Sequence, residues 1–231
     1  MTSISVGILA LLLLLGGSPT PPEDRPISHH QASPSPSSPT PSSSSLGNSS
    51  ASVAASVPGS AVPNVQLSKS SFNPNLEYRV ILEYILSYFP STPRHDAEEI
   101  AANLVDYGQV HDLDPKLIAA LIAKESSFQR EAISPTGAKG LGQIKSFNFP
   151  SLGIQDPFNI KQNISGTYQY ITELLDTWSG DQNRLKMALA SYYNGPNAMK
   201  RAEGQMNENT TYYVDTILKY YNEMKEFKKG F

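Results

Sequence analysis

The 231-residue sequence contains no cysteine and has no excess of positive charge. Without cysteine, disulfide staples and thiol chemistry are excluded. The chain has 18 Lys plus Arg against 21 Asp plus Glu, which gives a net charge of −3. A nucleic-acid-binding domain needs a basic field, and no RNA- or DNA-binding motif occurs, so a nucleic-acid partner is not expected.

Histidine is scarce as well. His29 and His30 lie in a Ser/Pro-rich segment, and His95 and His111 lie near the ends of predicted helices. None of them has a partner at the spacing of a zinc site, so we interpret all four as surface residues and predict no metal site. Asp114, which precedes a proline, is better interpreted as a helix N-cap than as a ligand.

The longest apolar run in the sequence is short. Val6 to Leu15 is apolar apart from Gly7, which suits a signal peptide and falls short of a membrane span of about 20 residues. Residues 1–17 are therefore predicted to be a signal peptide or a membrane anchor. A lipoprotein anchor is not expected, because the chain has no cysteine to acylate.

Composition divides the rest of the chain into two parts. Residues 18–65 consist mostly of Ser, Pro, Thr, Ala and Gly, and such a segment cannot bury enough apolar surface to offset its ordering entropy. We predict a disordered Ser/Pro-rich linker, which serves either as a tether or as a spacer without a selected length. Residues 66–231 are long enough to bury one substantial core and are predicted to form a single globular domain.

Helix signals recur through this domain, whereas convincing strand alternation does not. Thr92 and Asp114 each precede a proline, which is the pattern of a capping residue followed by proline at the first helical position. A mainly α domain is therefore predicted. The predicted helices cover Leu76–Tyr88, Pro93–Val110, Pro115–Phe128, Ile164–Trp178, Gln182–Tyr193, a short segment after Pro196, and Glu208–Glu226.

The third predicted helix places one carboxylate, Glu125, near the middle of its apolar stripe. Burying an unpaired ionised carboxylate is costly, so a raised pKa is expected, as a general acid at neutral pH requires. A glutamate that reaches solvent at the helix end is the alternative that the helix alone leaves open. The stripe consists of Leu117, Ile118, Leu121, Ile122 and Phe128, and the other side consists of Lys116, Ala119, Ala120 and Ala123.

A loop rich in glycine follows this helix. Ser134 to Gln143, SPTGAKGLGQ, contains one proline and three glycines, which indicates tight turns or a close backbone approach. Together with E-S-S-F at Glu125, the loop resembles the pattern E-S-x-F and S-P-x-G-A-x-G-L-x-Q of the soluble lytic transglycosylase family, goose-lysozyme-like enzymes that cut bacterial peptidoglycan. Later segments extend the resemblance, namely DPFNI from Asp156, NI from Asn163, ALASYYNGP from Ala188 and TTYYV from Thr210.

The resemblance implies that residues 66–231 form a mainly α, lysozyme-like catalytic domain. It also implies a lyase that needs no cofactor and no metal. In such enzymes one acid protonates the glycosidic oxygen between MurNAc and GlcNAc, and the substrate's N-acetyl group stabilises the cationic centre. The same residue then deprotonates the MurNAc C6 hydroxyl, and the product is 1,6-anhydroMurNAc. The resemblance assigns both roles to Glu125.

The resemblance also implies a partner and a location. Peptidoglycan glycan strands are the expected substrate, and the expected location is the bacterial periplasm or cell envelope after export. Contact with envelope machinery through the linker is a further expectation. Membrane contact is expected only through residues 1–17, if they remain uncleaved.

Two residues of the loop match family positions beside the acid. Ser134 and Gln143 are expected to orient the N-acetyl group and the sugar. The alternatives are a turn-forming serine and a glutamine that caps the next helix. Gly142 stands where the family commonly has Met, so a side-chain contact to the sugar is expected to be lost.

Two tyrosines complete the expected site. By family position Tyr192 is expected to hydrogen-bond near Glu125, and Tyr213 is expected to border the cleft. Alignment on Gly-Pro selects Tyr192 for the family slot, whereas alignment on Tyr-Asn selects Tyr193. We favour Tyr192, because this choice needs no deletion.

Two other functions compete with the lytic transglycosylase. A hydrolytic muramidase on the same fold would need a placed water and a second acid, for which Asp156 is the candidate. Glu131 is the only acid between Ser126 and Gln155, and we interpret it as a solvated loop charge. A non-catalytic wall-binding module would be marked by loss of the acid, but Glu125 is present.

Overall fold

The computed structural model describes residues 72–228. Within this range the chain forms seven α-helices and one hairpin of two-residue strands. The expectations for residues 1–17 and 18–65 lie outside the described residues. The helices are α1 (Pro74–Tyr88), α2 (Arg94–His111), α3 (Pro115–Ser126), α4 (Ile160–Thr177), α5 (Arg184–Asn194), α6 (Pro196–Arg201) and α7 (Glu208–Lys228), and the strands are β1 (Ala138–Lys139) and β2 (Ile144–Lys145).

The prediction of a mainly α domain is confirmed for residues 72–228, and one hydrophobic core draws on all seven helices. None of the helices in this part of the chain combines the length and the apolar composition that a membrane crossing requires. The largest shift from the predicted bounds is at α4, which begins at Ile160. It begins there because the Asn159 side chain accepts the N–H of Gln162 at 3.0 Å and so caps the helix one turn earlier than predicted.

The two predicted caps before proline have different outcomes. Asp114 caps α3 as predicted, since its Oδ1 accepts the N–H of Lys116 at 3.0 Å. The prediction for Thr92 is wrong. Helix α2 begins at Arg94 with Pro93 at the N-cap, and no side chain caps it.

Helix α3 lies at the centre of the domain and packs against α1, α2 and α7. The side that was expected to lie opposite the apolar stripe is buried too, and even Lys116 is only 4% exposed. Among the residues of α3, only Lys124 and Glu125 in its last turn are less than fully buried. The C-terminal end of α3 is therefore the part of this helix that solvent reaches.

A buried ion cluster holds the N-terminal end of α3. The Lys116 Nζ lies 2.5 Å from Glu77 Oε2 on α1 and 2.8 Å from Asp114 Oδ1. Asp114 Oδ2 also accepts the hydroxyl of Tyr221 on α7 at 3.0 Å. Because each buried charge has a partner, the cluster joins three helices without leaving an isolated ion. Helix α1, which was predicted over Leu76–Tyr88, is thereby fastened to the domain.

Candidate active site

Glu125 lies in the last turn of α3, directly before the point where the chain leaves the helix. Ser127 and Phe128 both adopt left-handed backbone conformations, with φ of 51° and 60°. This sharp turn sends the Phe128 ring into the core, where it is 1% exposed and packs edge-on against Phe89 with ring centroids 4.9 Å apart. The buried ring fixes the end of α3, and with it the position of Glu125.

The carboxyl group of Glu125 has a raised pKa. Burial disfavours its ionised form and raises the pKa from 4.5 to about 7, although three neighbours act in the opposite direction. The hydroxyl of Tyr213 donates a hydrogen bond to Glu125 Oε1, and the positive charges of Lys124 and Lys145 favour the carboxylate. Burial outweighs these effects, so the pKa moves in the direction that the apolar stripe predicted.

Tyr213 is a direct partner of Glu125 rather than only a residue at the border of the cleft. It lies in α7 and is 2% exposed, and the charge of Glu125 adds to burial in raising the pKa of its phenol. The ring of Tyr193 from α5 stacks on it, with centroids 4.6 Å apart and planes inclined by 23°. Tyr213 is therefore fixed on one side by packing and on the other by the carboxyl group.

The Tyr192 side chain contacts the glycine-rich loop Ser134–Gln143, called the motif loop below, and not Glu125. Its hydroxyl donates to the carbonyl oxygen of Gly142 at 2.7 Å, and its ring contacts Tyr170 with centroids 5.1 Å apart. Burial raises the pKa of its phenol, and the charge of Glu125 contributes to that rise. Tyr192 thus lies near Glu125 as expected, but the described structure gives it no hydrogen bond to the carboxyl group.

The loop and its hairpin are fastened to α4 by Asn163. Asn163 Oδ1 accepts the N–H of Gly142 at 2.8 Å, and its Nδ2 donates to the Pro157 carbonyl at 2.9 Å. Gly140, with φ of 76°, lies so close that an added Cβ would fall 2.1 Å from the Pro157 oxygen. The sequence identifies Asn163 only as part of a family motif, and its role in holding the loop was not predicted.

Gly142 packs closely against α4. An added Cβ there would lie 2.1 Å from Thr167 Oγ1, and Thr167 is fully buried in α4. The absence of a side chain at position 142 therefore lets the loop approach this helix, and the expected loss of a sugar contact stays a prediction.

Ser134 and Gln143 both make hydrogen bonds inside the loop. Ser134 Oγ accepts the N–H of Ala138 at 3.0 Å, which is the turn-forming alternative. Gln143, with φ of 50°, donates its amide Nε2 to the carbonyl oxygens of Ala132 and Gly140 at 3.0 and 2.9 Å. A short 3-10 helix, Ser146–Asn148, follows the loop. Gln143 does not cap it, because this helix has no side-chain cap. No hydrogen bond joins either side chain to Glu125 within residues 72–228.

Lys145 is a member of the site that the sequence analysis missed. It lies in β2, opposite Ala138 of β1, and its Nζ donates to the carbonyl oxygen of Thr136 at 3.0 Å. The negative charge of Glu125 raises the pKa of Lys145, while burial lowers it more strongly. The family pattern as quoted ends at Gln143, so it gave no signal for a cation two residues later.

The other carboxylates near the loop are exposed. Glu131 has a side chain that is 77% exposed, with Arg130 at 3.7 Å, in agreement with a solvated loop charge. Asp156 is exposed, and its Oδ1 accepts the N–H of Phe158 at 2.9 Å. Neither has the burial that raises the pKa of Glu125.

No group of three or more His, Cys, Asp or Glu side chains in residues 72–228 is arranged to hold a metal ion. The prediction that His111 is a surface residue holds only in part. Its ring is half-buried and stacks on Tyr168 with centroids 5.5 Å apart, and burial lowers its pKa. His95 has a side chain that is 77% exposed and lies 3.0 Å from Asp96, as a surface residue should.

Comparison with known proteins places this geometry in context. Residues 104–214 match the family model of the transglycosylase SLT domain, a range that contains Glu125 and all four other predicted site residues. Over 96 residues the chain is 36% identical to membrane-bound lytic murein transglycosylase F of Desulfosudis oleivorans, covering 40% of this chain and 21% of that protein. Over 87 residues it is 33% identical to the protein of the same name from Cronobacter sakazakii, covering 36% and 17%.

A viral protein and one solved structure are also similar. The transglycosylase of Enterobacteria phage PRD1 is 37% identical over 87 residues, covering 38% of this chain and 31% of that protein. The chain thus spans less than a third of the length of these three relatives. An inactive mutant of the lytic transglycosylase Slt from Pseudomonas aeruginosa has a TM-score of 0.48 and 18% identity, covering 68% of this chain and 31% of that chain.

Proposed function

Starting from the fact that residues 104–214 belong to the transglycosylase SLT family, we propose that this protein is a peptidoglycan lytic transglycosylase. The resemblance read from the motifs is confirmed by this match, and so is the mainly α, lysozyme-like fold class that it implied. The proposed reaction cleaves the β-1,4 bond between MurNAc and GlcNAc without water. Its product is a glycan end that carries 1,6-anhydroMurNAc.

One observation supports this proposal most strongly, namely the burial of the Glu125 carboxyl group beside Tyr213, which raises its pKa to about 7. A group that titrates near neutral pH is present in both protonation states, so it can donate a proton and later accept one. The lytic transglycosylase reaction needs both steps from one residue. An inverting hydrolase would divide these tasks between two carboxylates, and a retaining hydrolase would need a second carboxylate as nucleophile.

The proposed first step transfers a proton from Glu125 to the glycosidic oxygen as the bond from that oxygen to the MurNAc C1 breaks. Since Tyr213 donates to Oε1, we assign the catalytic proton to Oε2. The N-acetyl oxygen of the substrate stabilises C1. In the second step the Glu125 carboxylate takes the proton of the C6 hydroxyl while O6 bonds to C1, which restores the acid and consumes no water.

Ser134 and Gln143 are proposed to contact the substrate through the atoms that the loop leaves available. Both hydrogens of the Gln143 amide nitrogen serve loop carbonyls, so its Oε1 is the group left to accept an N–H or O–H from the sugar. Ser134 uses its oxygen as an acceptor within the turn and can still donate its hydroxyl hydrogen. Tyr192 is proposed to act indirectly, by holding the Gly142 carbonyl that precedes Gln143.

A hydrolytic muramidase is less well supported. Its second carboxylate would have to lie near the acid, but the charges that act on Glu125 are those of Lys124 and Lys145. Asp156 is exposed and accepts a backbone N–H of its own turn. The retained acid and its raised pKa likewise favour an enzyme over a wall-binding module.

The proposed setting is the cell envelope. Two of the similar proteins are named membrane-bound lytic murein transglycosylases, and residues 1–17 of this chain have the composition of a signal peptide or anchor. We propose that the protein is exported and that residues 18–65 let the catalytic domain reach glycan strands. Envelope machinery is a proposed partner of this linker.

The test is mass spectrometry of the muropeptides that the full chain releases from purified peptidoglycan. Products that end in 1,6-anhydroMurNAc are expected, and the Glu125→Gln variant should release them at a rate lower by about 10²- to 10⁴-fold, the usual contribution of a general acid–base residue. Equal release by the variant would contradict the role of Glu125. No release by either protein would contradict the proposed enzyme.

A further inference from the structure

The Lys145 side chain links strand β2 to the turn that precedes strand β1. From β2 its Nζ donates to both oxygens of Thr136, at 3.0 Å to the carbonyl oxygen and at 2.5 Å to Oγ1. Thr136 belongs to the turn that precedes β1. The lysine side chain therefore holds this turn against β2, and the backbone pairing of β1 with β2 holds the strands that follow it.

The contact continues to the predicted substrate-binding serine. Thr136 Oγ1 lies 3.1 Å from Ser134 Oγ, and Ser134 Oγ accepts the N–H of Ala138 at 3.0 Å. Three side chains thus form a continuous series of hydrogen bonds from Lys145 to Ser134. Backbone hydrogen bonds from Ser134 to Ala138 and from Gly137 to Ser134, both of 2.9 Å, also hold this turn, so a displacement of the ammonium group would loosen its side chains without unfolding it.

The same ammonium group acts on the acid. The charge of Lys145 favours the ionised form of Glu125, and the charge of Glu125 favours the ionised form of Lys145. The other groups that face Glu125 are Lys124 on α3, Tyr192 and Tyr193 on α5, and Tyr213 on α7. Among the charged ones, Lys124 lies over the exposed ring of Tyr212 at 5.3 Å, whereas Lys145 is held by the hairpin.

We propose that Lys145 is a positioning residue of this site: its ammonium group fastens the turn from Ser134 to Gly137 and keeps a fixed positive charge within electrostatic range of the Glu125 carboxyl. This inference rests on the proposed function, because it concerns the acid and the serine of that reaction. A single residue that serves first as acid and then as base must not be locked in either state. Burial alone would favour the acid, and Lys145 offsets part of that effect.

The first experiment measures the pKa of Glu125 without substrate. The full chain is labelled with ¹³C at the glutamate carboxyl carbons and titrated by NMR, and the Glu125→Gln variant identifies the signal. Lys145→Met, which keeps length and removes charge, should raise the pKa of Glu125 by roughly half a unit to one unit. Lys145→Arg should keep the wild-type pKa, and so should Thr136→Val, which removes only the hydroxyl contact.

The second experiment follows the pH dependence of kcat and KM on soluble glycan strands. With Lys145→Met the profile should move to higher pH by the same amount as the pKa. With Thr136→Val the profile should stay in place while KM rises, because the Ser134 turn is loosened. A merely structural role for Lys145 would change the melting temperature of the variant, followed by circular dichroism, without moving the profile.

An unchanged pKa of Glu125 in Lys145→Met would overturn the electrostatic half of the inference, and an unchanged KM in both Lys145→Met and Thr136→Val would overturn the positioning half. These failures are distinguishable from failure of the proposed function. A wild-type protein that releases no anhydro-ended product would contradict the function, whereas the titration needs no turnover and would still decide the charge effect.

Discussion

Each end of helix α3 carries an ionisable group away from bulk water, Lys116 at one end and Glu125 at the other. The two groups differ in their partners. At the N-terminal end Lys116 lies within 2.8 Å of two carboxylates, Glu77 and Asp114. At the C-terminal end Glu125 has a phenol as its hydrogen-bond partner and no ion pair among the described residues. In the first arrangement each charged group has an ion-pair partner, whereas the second leaves a carboxyl group whose pKa rises to about 7.

This difference separates a structural use of charge from a chemical one. Removing one member of a buried ion cluster takes an opposite charge away from the others, so the cluster contributes to folding. A carboxyl group kept without an ion-pair partner is costly to ionise, and that cost is what makes it a proton donor at neutral pH. Both arrangements depend on burial, and the partner decides which of them results.

Breaking the N-terminal cluster should have the largest effect on folding. Lys116→Met removes the ammonium group that faces the buried carboxylates of Glu77 and Asp114, so the free energy of unfolding should fall by about 3–5 kcal/mol. Combining it with Glu77→Leu should recover much of the loss, because the more deeply buried of the two carboxylates is then gone. Urea unfolding at neutral pH measures both variants.

An exposed pair offers the matched control for this prediction. Lys219 and Glu223 lie 3.9 Å apart with side chains 71% and 42% exposed, so Lys219→Met should cost less than about 1 kcal/mol. Equal losses for Lys116→Met and Lys219→Met would mean that the buried cluster does not stabilise the fold as described.

The C-terminal end should respond to pH instead. Since the folded pKa of Glu125 lies near 7 and the ordinary value is 4.5, folding binds a proton, and stability is fully present below the ordinary value and is lost as pH rises through 7. Glu125→Gln removes this loss. The variant should therefore gain on wild type by roughly 1–3 kcal/mol between about pH 4 and about pH 8.

Urea unfolding of both proteins at the two pH values measures this gain. A constant difference across the range would contradict a raised pKa in the folded state. The sign is specific, because a carboxylate held by an ion pair would give the opposite trend.

The smallest expected effect concerns the phenol partner. Its hydrogen bond lowers the pKa of Glu125, so Tyr213→Phe should raise that pKa further, by less than about one unit, and move the pH–rate profile to higher pH. Tyr212→Phe is the matched control, since this neighbour is 58% exposed and gives no hydrogen bond to Glu125. A shift of the same size in both variants would exclude a specific role for Tyr213.

Local patterns in the sequence predicted much of this fold and the position of its acid. Capping at Asp114, the apolar rhythm of α3 and the place of Glu125 in that rhythm all depend on residues within a few turns of one another. The same local information failed for Lys116, because a helix at the centre of a domain has no solvent face. Its partner Glu77 lies 39 residues away in the chain.

The contacts that hold the motif loop were not predictable in this way. Asn163 bonds to Gly142 across 21 residues, and Tyr192 bonds to the same residue across 50. Neither separation has a period that a helix or strand would impose. The choice between Tyr192 and Tyr193 also needed the backbone, since one reaches the loop and the other stacks on Tyr213.

The central claim is that the bond is cleaved without water. The most direct test is to run the reaction in water enriched in ¹⁸O and to measure the masses of the products by mass spectrometry. Attack by the C6 hydroxyl after proton transfer from Glu125 brings in no oxygen from solvent, so the account predicts unlabelled products that end in 1,6-anhydroMurNAc. Products with ¹⁸O at a reducing MurNAc end would mean that water attacks C1, and they would contradict the account.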